Sequence, residues 1–439
     1  MAIREPNERL TLLHREAGWT LRQFSQAVNR IGTERGTPTN FRPPSVHQWL
    51  RGHLPRESPR PLVLEALARK LQRPITHTQV GFPAPPEPAG EHSIVESLID
   101  LGRQDMERRT FLEASLFSIA VQIPEWQDSV GRTEAIRSGD AQRIGMTDVE
   151  LVTRMTDRLW KVFEEFGGRH TRPLAAQFLV NTVAPGLHTR SPDAPHRAML
   201  SAAAFLCYLT GWMAEDEALH GLAQRYYVKG LELAREGGDH LTYCHVLRGM
   251  SVQAADLGHG PDAVRLADAA AAPATGPRMR AFFAAQRGYA AAVAGEKRSA
   301  LNGIRETEKS LDIADSGAGG FGGFSYSTLA YATSQVRYHS GDVKGSVDSL
   351  RLHFRLRDES DTPRSALRFN ALLAQRQLEM GHLEEACTTW GAVLDGYHAV
   401  RSGRAERHAA EIPRLLRPHL AHRAARDTSE RARHTIRAR

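Results

Sequence analysis

Three cysteines are all that 439 residues hold: Cys207, Cys244 and Cys387, none of them in a CxxC pair. This excludes a disulfide framework and a cysteine-rich zinc module, and it suits small buried apolar residues in a reducing compartment. Long apolar runs are missing too, since no stretch approaches the ~18–20 continuous apolar residues of a membrane span. β-Branched residues are modest beside Ala, Leu and Arg, a balance that favours helix over sheet. Enzyme signatures are equally scarce: there is no GxSxG elbow, P-loop, kinase signature or HExxH pair. The 20 histidines, His419 and His422 among them, show no zinc-ligand spacing. Gly317-Ala318-Gly319-Gly320-Phe321-Gly322 formally matches GxGxxG. A charged helical stretch precedes it where a nucleotide loop needs a strand, so it reads as a loop between repeats. The sequence therefore predicts no catalytic role, no metal and no cofactor.

What is present is charge, unevenly distributed. The net charge is +7. Residues 1–75 carry 13 basic and 6 acidic side chains, and residues 401–439 carry 11 and 4, whereas residues 76–400 hold 33 and 40. Two basic ends flank an acidic body. Basic regions suit polyanions through counterion release, but that attraction carries no sequence preference.

The N-terminal segment adds a pattern to the charge. Leu10, Leu13 and Ala17 recur at helical spacing and Gly18 ends the run. Thr20 is placed to cap a second helix whose inner stripe is Leu21, Phe24, Ala27 and Val28. A polar loop with Gly32, Gly36 and Pro38 follows, then Pro43-Pro44-Ser45 opens a short helix closed by Gly52. Pro61 to Leu71 supplies another. On the short helix, positions 45, 48 and 51 share one side and 46, 49 and 50 lie mostly on another. Arg22 and Gln23 at the start of the second helix, with Arg42 and Arg56 flanking the short one, suit phosphate contacts that set orientation.

At WTLRQFSQAV (19–28), SVHQWLRGHLP (45–55) and LVLEALARKL (62–71) the segment resembles the Xre/Cro-type helix-turn-helix family. The resemblance implies that Ser45, His47, Gln48 and Arg51 face the major groove of double-stranded DNA, with Val46 and Trp49 anchoring the reader. Two departures stand out. The connection from Arg30 to Pro43 exceeds the usual 3–4-residue turn, and Leu50 replaces an acidic residue common there. The alternative reading of residues 1–75 is a small helical bundle used for protein contacts.

Pro74, Pro83, Pro85, Pro86 and Pro88 make the stretch after Leu71 a semi-rigid spacer, placed at 76–105. Just beyond lies Glu107-Arg108-Arg109-Thr110-Phe111-Leu112, which looks like the core of a twin-arginine export signal. A whole folded domain precedes it, the following apolar run is short, and no small-x-small cleavage site follows, so the expectation is an amphipathic helix in a cytoplasmic protein.

Residues 106–190 read as a helical connecting region, with one helix over 147–166 capped by Thr147 and ended by Gly167-Gly168, and its partner over 173–187. From 191 to 400 the chain becomes paired helices that close on Gly258, Gly295, Gly341 and Gly381, each followed by a polar residue. The spacing is about 40 residues, longer than the ~34 of a regular repeat, and the pattern looks like a degenerate tetratricopeptide-type solenoid. Stacked pairs create a concave surface for peptides, proteins or small molecules. Tyr208, Tyr243, Arg248, Gln286, Tyr326, Tyr331 and Arg368 on the first helices of the pairs are candidate ligand contacts there, and each is also an ordinary packing residue. The basic tail 401–439, interrupted by Pro413 and Pro418, reads as helix passing into an arginine-rich polar segment, solvated or adding non-specific DNA contact.

The fold expected is thus all-α: a helix-turn-helix unit followed by an α-helical repeat solenoid. The whole resembles actinobacterial cytoplasmic regulators that join an Xre-type reader to a tetratricopeptide-like domain. The resemblance implies a homodimeric, sequence-specific transcription regulator whose repeats sense a peptide or small molecule, with no membrane involved. The alternative is a helical-repeat scaffold that sequesters a protein partner.

Overall fold

The computed structural model describes residues 6–34, 38–71, 73, 75–83, 93–106, 144–188, 192–270, 276–314, 324–357 and 362–438. Gly36, Glu107–Leu112 and Gly317–Gly322, singled out above, lie outside these residues. Among the described residues every regular element is helical, which bears out the all-α expectation.

The N-terminal unit consists of α1 (Glu8–Glu16), α2 (Leu21–Glu34), α3 (Pro43–Leu50), α4 (Arg60–Leu71) and the single turn α5 (His77–Val80). Its core is Leu10, Phe24, Val28, Ile31, Val46, Trp49 and Leu67, all buried. Trp49 meets Phe41 edge-on at 5.0 Å between ring centroids and Phe24 at 6.4 Å, while Trp19 stacks on Phe24 at 5.3 Å. Aromatic packing of this kind adds ~0.5–1.5 kcal/mol per pair beyond burial. The unit does not end at residue 75. Asn7 Nδ2 donates to the Val80 carbonyl at 2.9 Å and Arg9 donates to Thr78 O at 2.7 Å, tying α5 back onto α1. Val80 and Phe82 are buried.

The described parts of the stretch expected to be a spacer carry two helices, α5 and α6 (Ile94–Met106), while Pro74, Pro85, Pro86 and Pro88 lie outside the described residues. Thr76 caps α5, with Gln79 returning the bond, and Gly81 in the left-handed region (φ 73°) ends it. α6 packs its Val95, Leu98 and Leu101 stripe against the next helices and belongs to the body.

The body opens with α7 (Met146–Phe166) and α8 (Gly168–Phe178), the latter continued through a π turn, Leu179–Val183, into α9 (Ala184–His188). The cap of α7 lies earlier than Thr147: Gly145 N–H donates to Asp148 at 2.9 Å. Gly167 (φ 87°) breaks the chain there, but Gly168 already starts α8.

Six consecutive helix pairs follow: α10 (Asp193–Asp216) with α11 (His220–Gly237), α12 (His240–Asp256) with α13 (Gly260–Ala269), α14 (Pro277–Val293) with α15 (Lys297–Asp312), α16 (Tyr326–His339) with α17 (Val343–Leu356), α18 (Pro363–Glu379) with α19 (Leu383–Gly396), and α20 (Gly403–Leu416) with α21 (Arg423–Arg437). The expected turn glycines Gly258, Gly295, Gly341 and Gly381 sit at φ 79°, 83°, 90° and 82°, where a Cβ would be strained. In the α10–α11 turn the same left-handed position holds Ala218 at φ 63°, so no glycine marks that turn in the sequence. The tail is not an appendage. α20 and α21 form the sixth pair, burying Ala405, Ala409, Ile412, Leu416, Ala425 and Ala432 with Trp390 of α19.

α10 is the one described helix whose length and composition would allow it to cross a membrane, and 72% of its apolar window is buried among its neighbours. The three cysteines are buried and free.

Candidate nucleic-acid interface and the inner face of the repeats

The short helix α3 starts with two prolines at its first turn, positions that lack intrahelical donors in any case. Val46 and Trp49 point into the core, and His47, Gln48 and Arg51 stand exposed. Ser45 is half-buried, and its hydroxyl accepts the Arg42 N–H at 3.5 Å, so it helps to start the helix as well as facing outward. Arg22, Gln23, Arg42 and Arg56 are all exposed around α3. Gln23 Oε1 accepts Thr20 N–H at 2.9 Å in a capping box with Thr20, which leaves its amide NH2 outward. The structure thus brings the eight residues to one compact unit.

The long connection before α3 has a physical explanation that the pattern of residues did not supply. α2 continues to Glu34, and Asn29 on it clamps the returning chain. Its Nδ2 donates to Phe41 O at 2.8 Å, while Oδ1 accepts Phe41 N–H at 2.8 Å and Thr39 Oγ1 at 3.0 Å. An asparagine spaced twelve residues from its backbone partner leaves no local signature. Replacing it, Asn29→Ala, is expected to cost ~1–3 kcal/mol through the orphaned Phe41 backbone groups and to loosen α3 against α2. Thermal unfolding of the full chain and exchange of the Phe41 amide measure both effects.

Charge pairing separates two kinds of arginine in this unit. Arg69 and Arg73 pair with Glu65 (2.8 Å) and Glu16 (2.7 Å). Among the described residues, Arg22, Arg42, Arg51 and Arg56, around α3, have no carboxylate partner. Their counterions come from solution, which is what a polyanion displaces.

The inner face of the repeats differs from the open groove expected. Of the seven candidates there, Gln286 is buried and donates to Ser251 Oγ at 2.9 Å, which in turn donates to Ala263 O. Tyr243 and Tyr208 are buried, Tyr208 beside Tyr227 and His245. Arg248 lies 4.0 Å over the Phe282 ring. Tyr326 is exposed at the outer end of α16 and donates to Asp312 at 2.8 Å. Tyr331 and Arg368 meet, 5.7 Å from guanidinium to ring, and Arg248 interacts with Tyr208. The seven do not form one site.

What occupies the axis is an ion-pair network that sequence reading missed. Asp256, at the end of α12, receives Tyr289 Oη at 2.9 Å, Arg368 at 3.2 Å and Arg404 at 3.0 Å, from α14, α18 and α20. Burial opposes ionisation of Asp256, but Arg368, Arg404 and the Tyr289 hydroxyl outweigh it and hold its pKa below the usual carboxylate range. Arg404 also pairs with Glu215, whose carboxyl burial pushes up against the pull of that arginine. Arg364 bridges Glu164 (2.5 Å) and Asp216 (3.4 Å), with its guanidinium 4.4 Å from the Phe163 ring. The basic tail and the acidic body are therefore matched partners, and the last repeats return against the first. Arg401 N–H donates to Phe166 O at 2.7 Å and Arg169 N–H to Arg401 O at 3.2 Å. The only hints in the sequence are the acidic run Glu215-Asp216-Glu217 ending an apolar helix and Arg404 beside Gly403.

Three histidines share this interior. Burial, reinforced by Arg407 and Arg404, lowers His220 to about 3. Burial, with Arg248, lowers His245 to about 4, and burial, with Arg368 and Arg407, lowers His408 to about 4. Each stays neutral in the fold and takes a proton near 6.5 when unfolded. Their stabilisation is complete above pH 6.5 and is lost as pH falls towards 4, by on the order of several kcal/mol in all. Raised Glu215 works in the opposite sense but is a single group. The midpoint of thermal unfolding is expected to fall steadily from pH 7 to pH 4.5, and a flat profile would contradict the neutral, buried state of these rings.

Residues 10–83 match the family described as the SP15 N-terminal domain. The match ends with α5 and Phe82, so it follows the N-terminal unit as folded and covers less than half of the chain. Comparison with curated proteins and with solved structures finds no match.

Proposed function

We propose that the protein is a sequence-specific DNA-binding transcription regulator, with α3 reading the major groove and the repeat body positioning the reader. The observation that carries this reading is the contrast around α3. A short helix pinned by Val46 and Trp49 presents His47, Gln48 and Arg51, and Arg22, Arg42 and Arg56 beside it have no carboxylate partner among the described residues. Gln and Arg form bidentate contacts with adenine and guanine edges, whereas Arg22, Arg42 and Arg56 suit phosphates. Exposed polar residues on a stably anchored helix separate base reading from scaffold duty.

Two copies of one reader would bind half-sites about one helical turn apart or a multiple of that. The repeat body has few free surfaces at its axis, so an effector would act by changing how the body closes. The scaffold reading, in which a protein partner is sequestered, is favoured by no specific contact.

Selection of bound fragments from genomic DNA by the full-length protein tests the proposal. Enrichment of one sequence class that survives ~200 mM salt supports it. Uniform binding that vanishes with salt would show polyanion attraction alone.

A further inference from the structure

Glu215 and Asp216 end α10 and Glu217 follows at its cap, and all three are buried. Three carboxylates at the negative end of a helix dipole repel one another and the helix carbonyls, so they require cations. Each receives its arginine from a different element. Arg404 of α20 takes Glu215, Arg364 of α18 takes Asp216 at 3.4 Å, and Arg172 of α8 takes Glu217 at 2.6 Å. Asp216 also accepts the Gly168 N–H at 3.1 Å. Arg172 is shared further, because it pairs with Asp105 near the end of α6, and Asp105 in turn accepts Tyr226 Oη at 2.7 Å.

The backbones here leave no slack. A Cβ on Gly403 would lie 2.7 Å from the Glu217 carbonyl, and one on Gly168 would lie 2.4 Å from Met213 O. Gly403 and Gly168 thus let α20 and α8 bring their backbones against the end of α10. α6 is the first helix after the N-terminal unit, beginning at Ile94 where that unit ends at Pro83. Its polar anchor is the far end of the same chain of ion pairs that the C-terminal repeats close.

We propose that Glu215-Asp216-Glu217 is a relay through which the docking of α18 and α20 on α10 sets the hold of Arg172 on Asp105, and so the placement of α6. When the C-terminal repeats lift, Glu215 and Asp216 lose their cations. Arg172 is then drawn towards the uncompensated triplet, and Asp105 loses its cation and keeps only the Tyr226 hydroxyl. The relay deepens the regulatory reading and rests on it for its consequence, while its mechanical part stands on the ion pairs alone.

Hydrogen exchange of the full-length protein tests the mechanical part. The variants are Arg404→Met, which removes the docking cation, and the milder Glu406→Gln, which removes the surface pair that Glu406 makes with Arg169 at 2.7 Å. Glu406→Gln keeps the experiment decisive if Arg404→Met does not fold. Arg287→Met, which breaks an exposed pair with Asp268 on the outer side, is the control. The relay predicts exchange at residues 94–106 faster by at least several-fold in Arg404→Met, and by less in Glu406→Gln, with no change in the control. Faster exchange confined to 403–437 and the end of α10, with α6 unchanged, would overturn it. DNA affinity is read in parallel. If α6 responds but neither wild type nor variants select DNA, the relay stands and the DNA reading fails. If wild type selects DNA and α6 stays silent, the reverse holds.

Discussion

The double substitution Gln48→Ala/Arg51→Ala is expected to remove sequence preference while leaving weak, salt-sensitive binding to any duplex. Each bidentate base contact contributes ~1–3 kcal/mol of discrimination, so losing two lowers the specific affinity by about a hundredfold or more. Both side chains are exposed, so the fold should keep its unfolding midpoint. Arg22→Ala is the informative contrast. It removes one cation at the start of α2 and should weaken all sequences alike, with the salt slope smaller by about one. Mobility shifts on selected and scrambled duplexes, each at two salt concentrations, separate the two outcomes. Equal loss on both duplexes for Gln48→Ala/Arg51→Ala would show that α3 does not read bases.

The second large effect lies far from the reader. Arg404→Met is expected to destabilise the body by ~3–5 kcal/mol, because Glu215 stays buried without its cation, while the more accessible Asp256 keeps Arg368. In a body of this size that lowers the unfolding midpoint by on the order of 10 °C. Combining Arg404→Met with Glu215→Gln relieves part of the uncompensated charge and should recover part of the loss. The amide keeps an oxygen for the Tyr227 hydroxyl, which donates to the Glu215 carboxylate at 3.0 Å. Calorimetry on the single and double variants checks this. A loss under ~1 kcal/mol would mean that water reaches the pair and screens it.

Most helices were legible because their determinants are local. Thr20 and Gln23 cap α2 within one turn, and the apolar stripe of α15 repeats every three to four residues over the span the structure shows, Lys297–Asp312. Gly258, Gly295, Gly341 and Gly381 identified four intra-pair turns through a backbone conformation that only glycine adopts cheaply. In the preceding pair, read from its apolar pattern as helices at 202–214 and 219–235, Ala218 takes the same conformation with a Cβ. The exposed residues of α3 were legible for a similar reason, since burying Val46 and Trp49 forces Gln48 and Arg51 outward.

The remaining features depended on residues far apart in the chain. Thr76 and Asn7 made α5 part of the N-terminal unit although prolines crowd the neighbouring sequence. Charge counts alone made the last 39 residues a basic tail and the middle an acidic body. Tertiary structure turned those two observations into one by setting Arg404 and Arg364 against Glu215, Asp216 and Glu164, about 150 to 200 residues away. Amino-acid order by itself determined that the chain is helical, where its pairs turn and which side of α3 faces out, because each of these is settled within a few residues by sterics, capping and periodicity. Only the tertiary structure decided that the last repeats return against the first and that ion pairs join them. A buried charge becomes tolerable only when a distant partner arrives beside it, and periodicity carries no information about which partner that will be.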